Sequence, residues 1–510
     1  MPYQYPSEEE VLSNIPMPDV DDELVMIRAE HVGGTVYRHM EQQRTLRDYH
    51  TYLKKLEDAG FTKIGGVVKP DGRSVVTATY QKGNRIVGTN HNSYWRRINL
   101  TFQIAPELPY TGPELYENIP MFPGAGEPED MGGNTYVLTA ANTGLADYEA
   151  YLKVLLDNGF AQFANNNDGF GGNVYTAAFV KDNISVSVTH LVRTKLTYVS
   201  AAKDQPFSPH LKYNASEVAA NPADAKTTLH MPELYIFGGC FVIQLKNGHF
   251  LIQDGSVPQQ LPYLVDYLEE LAGGTKPIVD GWFITHPHRD HTGSLVSINW
   301  EREFKDRLFV EGIYFNEPAG FVLDFDCGSR GDVQLLQEVT KVVRTSDGKD
   351  VPIYRTRTGE RYYFNDITIE ILFAQEQLPK EAYSGDVNDS SSWAMFVIEG
   401  QKVLLGGDGD VGGMEKIMQI YPGEYLDSDV FSTLHHCHNT TDKFTDYFKK
   451  KTVLVTCKTE PQMHPAENGH LRDVAEEWFI YGDGTRILSF PYEVGQSQVL
   501  AHNTWKYHQQ

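Results

Sequence analysis

Three histidines and an aspartate fall within six residues of this chain, in the run Thr285-His286-Pro287-His288-Arg289-Asp290-His291. Imidazole nitrogens and carboxylate oxygens suit zinc and related divalent cations, and one compact loop can present them to two ions. A single histidine would be an ordinary surface residue. Four potential ligands at this spacing point instead to a metal centre. The segment Ile278-Val279-Asp280-Gly281-Trp282-Phe283-Ile284 reads as the buried strand that delivers them.

Three further segments end in groups of the same chemistry. Phe250-Leu251-Ile252-Gln253-Asp254-Gly255 is a short apolar strand closing on Asp-Gly. Val403-Leu404-Leu405-Gly406-Gly407-Asp408 closes on an aspartate within a glycine-rich tract that lacks the Gly-Lys-Ser/Thr ending of a phosphate-binding loop. Asp429-Val430-Phe431-Ser432-Thr433-Leu434 leads into His435-His436.

Taken in order, these segments resemble the metallo-β-lactamase superfamily, in which His-x-His-x-Asp-His after a strand marks a dinuclear hydrolase centre. The resemblance runs from about Glu233 to Phe490 and is nearest to the hydrolase branch attached to the DNA-internalisation competence protein. It implies an αββα sandwich holding two divalent ions, zinc first, with manganese or iron admitted. His286 and His288 would hold the first ion. Asp290, His291, Asp408 as the bridging carboxylate, and His435 or His436 would hold the second. His435, at the strand end, is the first choice of that pair. Asp254 would brace the metal loop, Asp290 would also orient the nucleophile, and His464, in Met463-His464-Pro465, would contact substrate. His438 is a further candidate acid for the leaving group.

The chain departs from the family where many members place another histidine, reading Val387-Asn388-Asp389-Ser390-Ser391-Ser392 instead. Oxygen ligation by Asn388 or Asp389, or a water filling that position, is expected there. The implied activity is hydrolysis by a hydroxide held between two metals, on a small phosphoester or phosphodiester. Lactone, lactam or thioester hydrolysis and a non-catalytic metal-binding assembly protein are the alternatives.

The elements that must position these groups are written in the rest of the chain. At 510 residues and 41% hydrophobic, it is long and apolar enough for about three globular domains. With 44 Lys and Arg against 68 Asp and Glu, the formal net charge is -24, which disfavours nucleic acid, because that binding rests on cations neutralising phosphates. A small-molecule substrate is expected. The four cysteines include no Cys-x-x-Cys pair, and no apolar leader or membrane-length run is evident, so a cytoplasmic protein is expected.

Leu46-Arg47-Asp48-Tyr49 through Gly60-Phe61 recurs 99 residues later as Leu145-Ala146-Asp147-Tyr148 through Gly159-Phe160, and Thr77-Ala78 recurs as Thr176-Ala177 at the same offset. One register kept this long marks a duplicated small α+β module. Its helices carry Leu46, Tyr49, Leu53 and Leu56, then Leu145, Tyr148, Leu152 and Leu155, at helical spacing. Tyr52 and Tyr151, with Tyr49 and Tyr148, are expected in the module cores rather than on a binding surface. Modules over 1–110 and 131–205, linked by the Pro- and Gly-rich stretch 106–130, would precede an α/β catalytic domain over 230–505, with oligomerisation through the modules admitted.

Overall fold

The structure is a computed structural model and describes residues 15–16, 28–33, 36–41, 44–65, 75–83, 85–92, 96–104, 115–214, 221–234, 238–319, 329–376, 387–437, 440–457 and 465–500. The chain divides into two compact units, one comprising Met1–Thr111, Ala319–Gly331 and Leu378–Val387, the other Gly112–Pro318, Asp332–Gln377 and Asn388–Gln510.

The first unit is built on an antiparallel six-stranded sheet in the order Arg28–Gly33, Val36–Glu41, Arg97–Ile104, Arg85–Asn92, Val75–Lys82, Thr62–Gly65. Helix Leu46–Asp58 starts at a capping box, in which the Thr45 N–H donates to Asp48 Oδ2 at 2.7 Å and the Asp48 N–H donates to Thr45 Oγ1 at 3.3 Å. Its buried stripe is Tyr49, Tyr52 and Leu56, packed with Tyr80, Leu100 and Phe102. Leu46 remains exposed.

In the second unit, the sheet Glu129–Asp130, Thr135–Ala141, Leu196–Lys203, Ile184–Leu191, Val174–Lys181, Ala161–Asn165 has the same strand order, with helix Leu145–Asp157 in the corresponding place. Tyr148, Tyr151 and Leu155 are its buried stripe. Leu115, Tyr116, Ile119 and Phe122 join that core, so the latter part of the expected linker 106–130 is packed structure, because its apolar side chains outweigh its prolines and glycines.

The outward face of this sheet is joined to the remainder of the unit by hydrogen bonds. Asn166 Nδ2 donates to the Gly359 carbonyl at 2.7 Å, Thr176 and Thr189 hydroxyls both donate to the Thr358 carbonyl at 3.1 Å, and Arg357 Nε donates to Ser200 Oγ at 3.2 Å. Gly359, at φ +86°, allows this approach, since a Cβ there would sit 2.0 Å from Thr176 Oγ1.

Two sheets then face one another. The first runs Ile353–Tyr354, Ile313–Phe315, Ile278–Ile284, Phe250–Gln253, Phe241–Gln244, Thr228–Met231, Thr485–Ser489, Gln498–Leu500, with Phe309–Val310 also paired to Ile278–Ile284. The second runs Arg361–Phe364, Ile367–Phe373, Trp393–Ile398, Gln401–Leu405, Ser428–Ser432, Lys450–Val455, Glu477–Ile480. Phe283 crosses between them, its ring 5.9 Å from Phe364 and 6.2 Å from Phe396. By strand alternation Trp282 and Ile284 point the opposite way, and both are fully buried. Central strands buried on both faces explain the nearly unbroken apolar runs seen in sequence. Helices Leu261–Leu271 and Ser329–Val339 follow strands Phe250–Gln253 and Ile313–Phe315 in chain order. Among the described residues no helix is long and apolar enough to cross a membrane.

Candidate metal centre

Strand Ile278–Ile284 ends beside Phe250–Gln253 in parallel register, Gln253 against Phe283, which brings Asp254 next to Thr285. Asp254 is 1% exposed and accepts four contacts. Oδ1 takes the Thr285 N–H at 2.9 Å and lies 3.0 Å from Thr285 Oγ1, while Oδ2 lies 2.9 Å from that hydroxyl and 2.8 Å from His291 Nδ1. The chain then turns at His288, the N-cap of helix Arg289–Ser297, so Asp290 and His291 lie in the first helical turn.

From the opposite sheet, strand Gln401–Leu405 delivers Asp408 through Gly407, at φ +55°. A Cβ on Gly407 would lie 2.7 Å from Thr285 Cβ, so only glycine lets this loop close on the histidine loop. Strand Ser428–Ser432 delivers the histidine pair through His435, His436 and Cys437 at φ 44°, 52° and 67°. Three successive non-glycine residues in the left-handed region constitute stored backbone strain, a feature that clusters at functional sites.

Ligand atoms of Asp290, His291, Asp408 and His436 lie within 4.8 Å of one another, and so do those of His286, His288 and Asp408. Asp408 is common to both groups. His291 Nε2 lies 3.0 Å from Asp408 Oδ1, and His436 Nε2 lies 3.0 Å from Asp290 Oδ2 and 3.2 Å from Asp408 Oδ2. His286 Nε2 lies 3.0 Å from His288 Nδ1 and 3.9 Å from Asp408 Oδ2.

Of the histidine pair, the structure brings His436 into the cluster and not His435, the first choice from sequence. The left-handed turn carries the chain past the strand end before a side chain reaches the carboxylates. His436 Nδ1 bonds the Thr456 carbonyl at 3.0 Å, which leaves Nε2 toward Asp290 and Asp408. His435 instead meets Asn388, whose Nδ2 is 3.3 Å from His435 Nε2. Asp389 Oδ1 accepts the Gly413 N–H at 3.2 Å, so its carboxylate braces the glycine-rich loop rather than joining either group. His464 and His438 lie outside the described residues.

The electrostatics of the cluster set buried carboxylates against buried imidazoles. Burial opposes protonation of His291, but Asp408 and Asp254 outweigh it and hold its pKa well above the usual imidazole range. His436 is likewise opposed by burial yet raised to about 10, chiefly by Asp408 and Asp290. Burial would raise both aspartates, but His291 and His436 hold Asp408 well below the ordinary range, and His436 does the same for Asp290. His286, buried beside two other imidazoles, is pushed well below the normal value and is a neutral donor.

The donor set fits divalent metal on one observation in particular. His291 Nε2 is fully buried and forms no aligned hydrogen bond, although it faces Asp408. Bound metal ions would replace the protons on His291 and His436 as the counter-charge of Asp290 and Asp408. The side chains that the structure gathers in these two groups are all named from the sequence, whereas the parts played by Thr285, Gly407 and Thr456 are not. None carries a distinctive spacing, and each matters only because of what the fold places beside it.

No protein-family model and no curated protein sequence matches the chain. Among solved structures it is similar to a Cronobacter sakazakii metallo-β-lactamase described by a HARLDQ motif, at 9% identity and a TM-score of 0.22, over 34% of this chain and 54% of that one. It is also similar to a metallo-β-lactamase from Hirschia baltica, at 11% identity and a TM-score of 0.21, over 35% of this chain and 65% of that one. The chain thus spans less than two thirds of either neighbour's length.

Proposed function

We propose that this protein is a metal-dependent hydrolase with a dinuclear centre, acting on a small phosphoester or phosphodiester. The observation that carries this reading is the sharing of Asp408 between two groups of metal-ligating side chains. His286, His288 and Asp408 would hold one ion, and Asp290, His291, Asp408 and His436 the other, zinc being the first expectation for nitrogen-rich sites of this kind. When bound, such ions supply Lewis acidity, acidifying water and polarising the oxygen of the scissile group.

The chain's own residues set the geometry. Asp254 accepts the His291 Nδ1–H, and the Thr456 carbonyl accepts that of His436. Both rings therefore turn an Nε2 lone pair inward once they have given up their second proton. Asp290 stays ionised, and with 17% of its side chain exposed it is the ligating carboxylate in that group open to an incoming nucleophile, which it orients by accepting a hydrogen bond. The phosphoester class rests on the resemblance of Asp429 to His436 to the competence-type branch, and the small size on the net charge of -24. We also propose that the two matched six-stranded modules arose by duplication.

The test is metal analysis of the purified protein and of His435→Ala and His436→Ala variants, with each screened on phosphodiester, phosphomonoester, lactone, lactam and thioester chromogens. Two metals per chain and phosphoester turnover, both lost in His436→Ala and retained in His435→Ala, are expected. Wild-type protein without metal after supplementation refutes the centre. Turnover confined to lactams, lactones or thioesters refutes the substrate class.

A further inference from the structure

Buried polar atoms without a partner are uncommon in folded proteins, and each asks for a reason. Four such atoms belong to residues on segments that the topology brings to the neighbourhood of the metal loop. Among the described residues Asn316 Oδ1, Gln375 Oε1, Glu376 Oε2 and Ser391 Oγ have no hydrogen-bond partner. Their residues are 1%, 4%, 6% and 0% exposed.

The topology gathers them at the strand ends that carry the ligands. Phe315 pairs with Ile284 in parallel register, so Asn316 comes alongside Thr285, the residue before His286. Asn316 Nδ2 donates to the Gln375 carbonyl at 3.2 Å, which ties the exit of Ile367–Phe373 to the same place. Ser391 precedes Ser392, whose N–H donates to the Thr285 carbonyl at 2.9 Å. Glu376 Oε1 accepts the Thr358 N–H at 3.1 Å, and Thr358 is the residue whose carbonyl meets Thr176 and Thr189 of the second module. Asn316 and Glu376 are therefore each anchored by one polar atom with the other left over.

The unused atoms define what they would accept. Asn316, Gln375 and Glu376 each offer an oxygen, which repels an anion. A cation is opposed by two guanidiniums whose charge is felt at or from Glu376. Arg357 is 3% exposed and bonded to Glu360 and Ser200, and Arg355 donates to the Met131, Gly132 and Glu317 carbonyls. Burial and the neighbouring Glu360 raise the Glu376 pKa to about 8, so at neutral pH it can donate as well as accept. Ser391 can also do both. A hydroxyl group does both at one atom, and an alcohol is neutral.

We infer that Asn316, Gln375, Glu376 and Ser391 form a recognition subsite for substrate hydroxyl groups, placing a polyol on the ester that the metal cluster cleaves. The identification of that polyol as part of a phosphoester rests on the function proposed above. Glu376 is the specificity-determining residue of the four. Its carboxyl joins the second module, through Thr358, to the subsite.

Calorimetry on the full chain with metal restored, using glycerol 3-phosphate and propyl phosphate as probes, tests this. These ligands share the phosphate and differ in the hydroxyls. Glycerol 3-phosphate should bind at least about tenfold more tightly, since buried polar groups left unpaired discriminate strongly against an analogue lacking its hydroxyl. Gln375→Leu and Glu376→Leu should erase the preference, the first without lowering the melting temperature and the second with a lowered one because it strands the Thr358 N–H, while Glu376→Gln, which keeps a donor and an acceptor, should retain most of it. Equal affinities in the wild type, or a preference surviving both leucine variants, would overturn the subsite. Turnover of the 4-nitrophenyl esters of the same two phosphates separates the two conclusions. Equal efficiency on both esters removes the subsite and leaves the hydrolase. Tight glycerol phosphate binding with neither ester cleaved, and no inorganic phosphate released from glycerol 3-phosphate, supports the subsite and removes the hydrolase.

Discussion

Replacing Asp254 with asparagine changes almost no volume and removes one acceptor oxygen. That oxygen cannot be spared. Oδ1 serves the Thr285 N–H and Oδ2 the His291 Nδ1–H, with the Thr285 hydroxyl within 3.0 Å of both. In either amide orientation a buried NH₂ faces a buried N–H, leaving donors unsatisfied at a site 1% exposed. A buried donor without a partner costs about 1–3 kcal/mol. At about 1.4 kcal/mol per tenfold change in equilibrium constant, that is roughly a 5- to 150-fold loss, wherever the metal-bound state depends on the His291 tautomer. Loss of a partner that orients a ligating histidine commonly weakens metal binding by about 10–100-fold, the same range. The assay is competition for zinc between the protein and a chromogenic chelator, with melting curves of the metal-free proteins as a control. The expected result is zinc affinity reduced about 10–100-fold in a folded Asp254→Asn variant. Unchanged zinc affinity in that variant would refute the argument that Asp254 sets the ligand geometry of His291.

The other predictions concern the joint between the second module and the two-sheet core. Glu376 has its pKa raised by burial and Glu360, against the opposing pull of Arg357, to about 8 from 4.5, so the folded chain keeps a proton that the unfolded chain releases. Stability should therefore fall as pH rises between those values, by at most about 5 kcal/mol, and level off outside them. Glu376→Gln should remove this slope, matching wild type near pH 4.5 and exceeding it near pH 8; parallel urea-unfolding profiles for the two proteins across that interval would refute the assignment. Asn166 donates to the Gly359 and Val174 carbonyls and accepts the Thr176 N–H, all buried. Asn166→Leu strands these groups and should lower unfolding free energy by about 2 kcal/mol or more, read by denaturant titration, and an unchanged midpoint would show that the joint carries no stability.

The side chains that could hold a metal were legible in the sequence because a strand fixes the direction of the chain and a short loop fixes which side chains can converge. Local spacing is enough for His286, His288, Asp290 and His291. The repeated helices were legible for a similar reason, since a stripe such as Tyr49, Tyr52 and Leu56 depends only on the helical period. The strand ending at Asp408 was also visible. That Gly407 must pass against Thr285 was not, because the contact joins residues far apart in the chain.

Which member of the His435-His436 pair enters the cluster was decided by three left-handed backbone conformations that propensity does not anticipate in non-glycine residues. The docking of the second module through Asn166, Thr176 and Thr189, and the gathering of Asn316, Gln375, Glu376 and Ser391, leave no trace in local pattern. Each of these residues is an ordinary polar side chain in sequence. Sequence thus determined which groups could do chemistry, through periods and spacings that act over a few residues. The tertiary structure decided which of them meet and which polar atoms are left over, because burial and close approach arise only when distant strands pack.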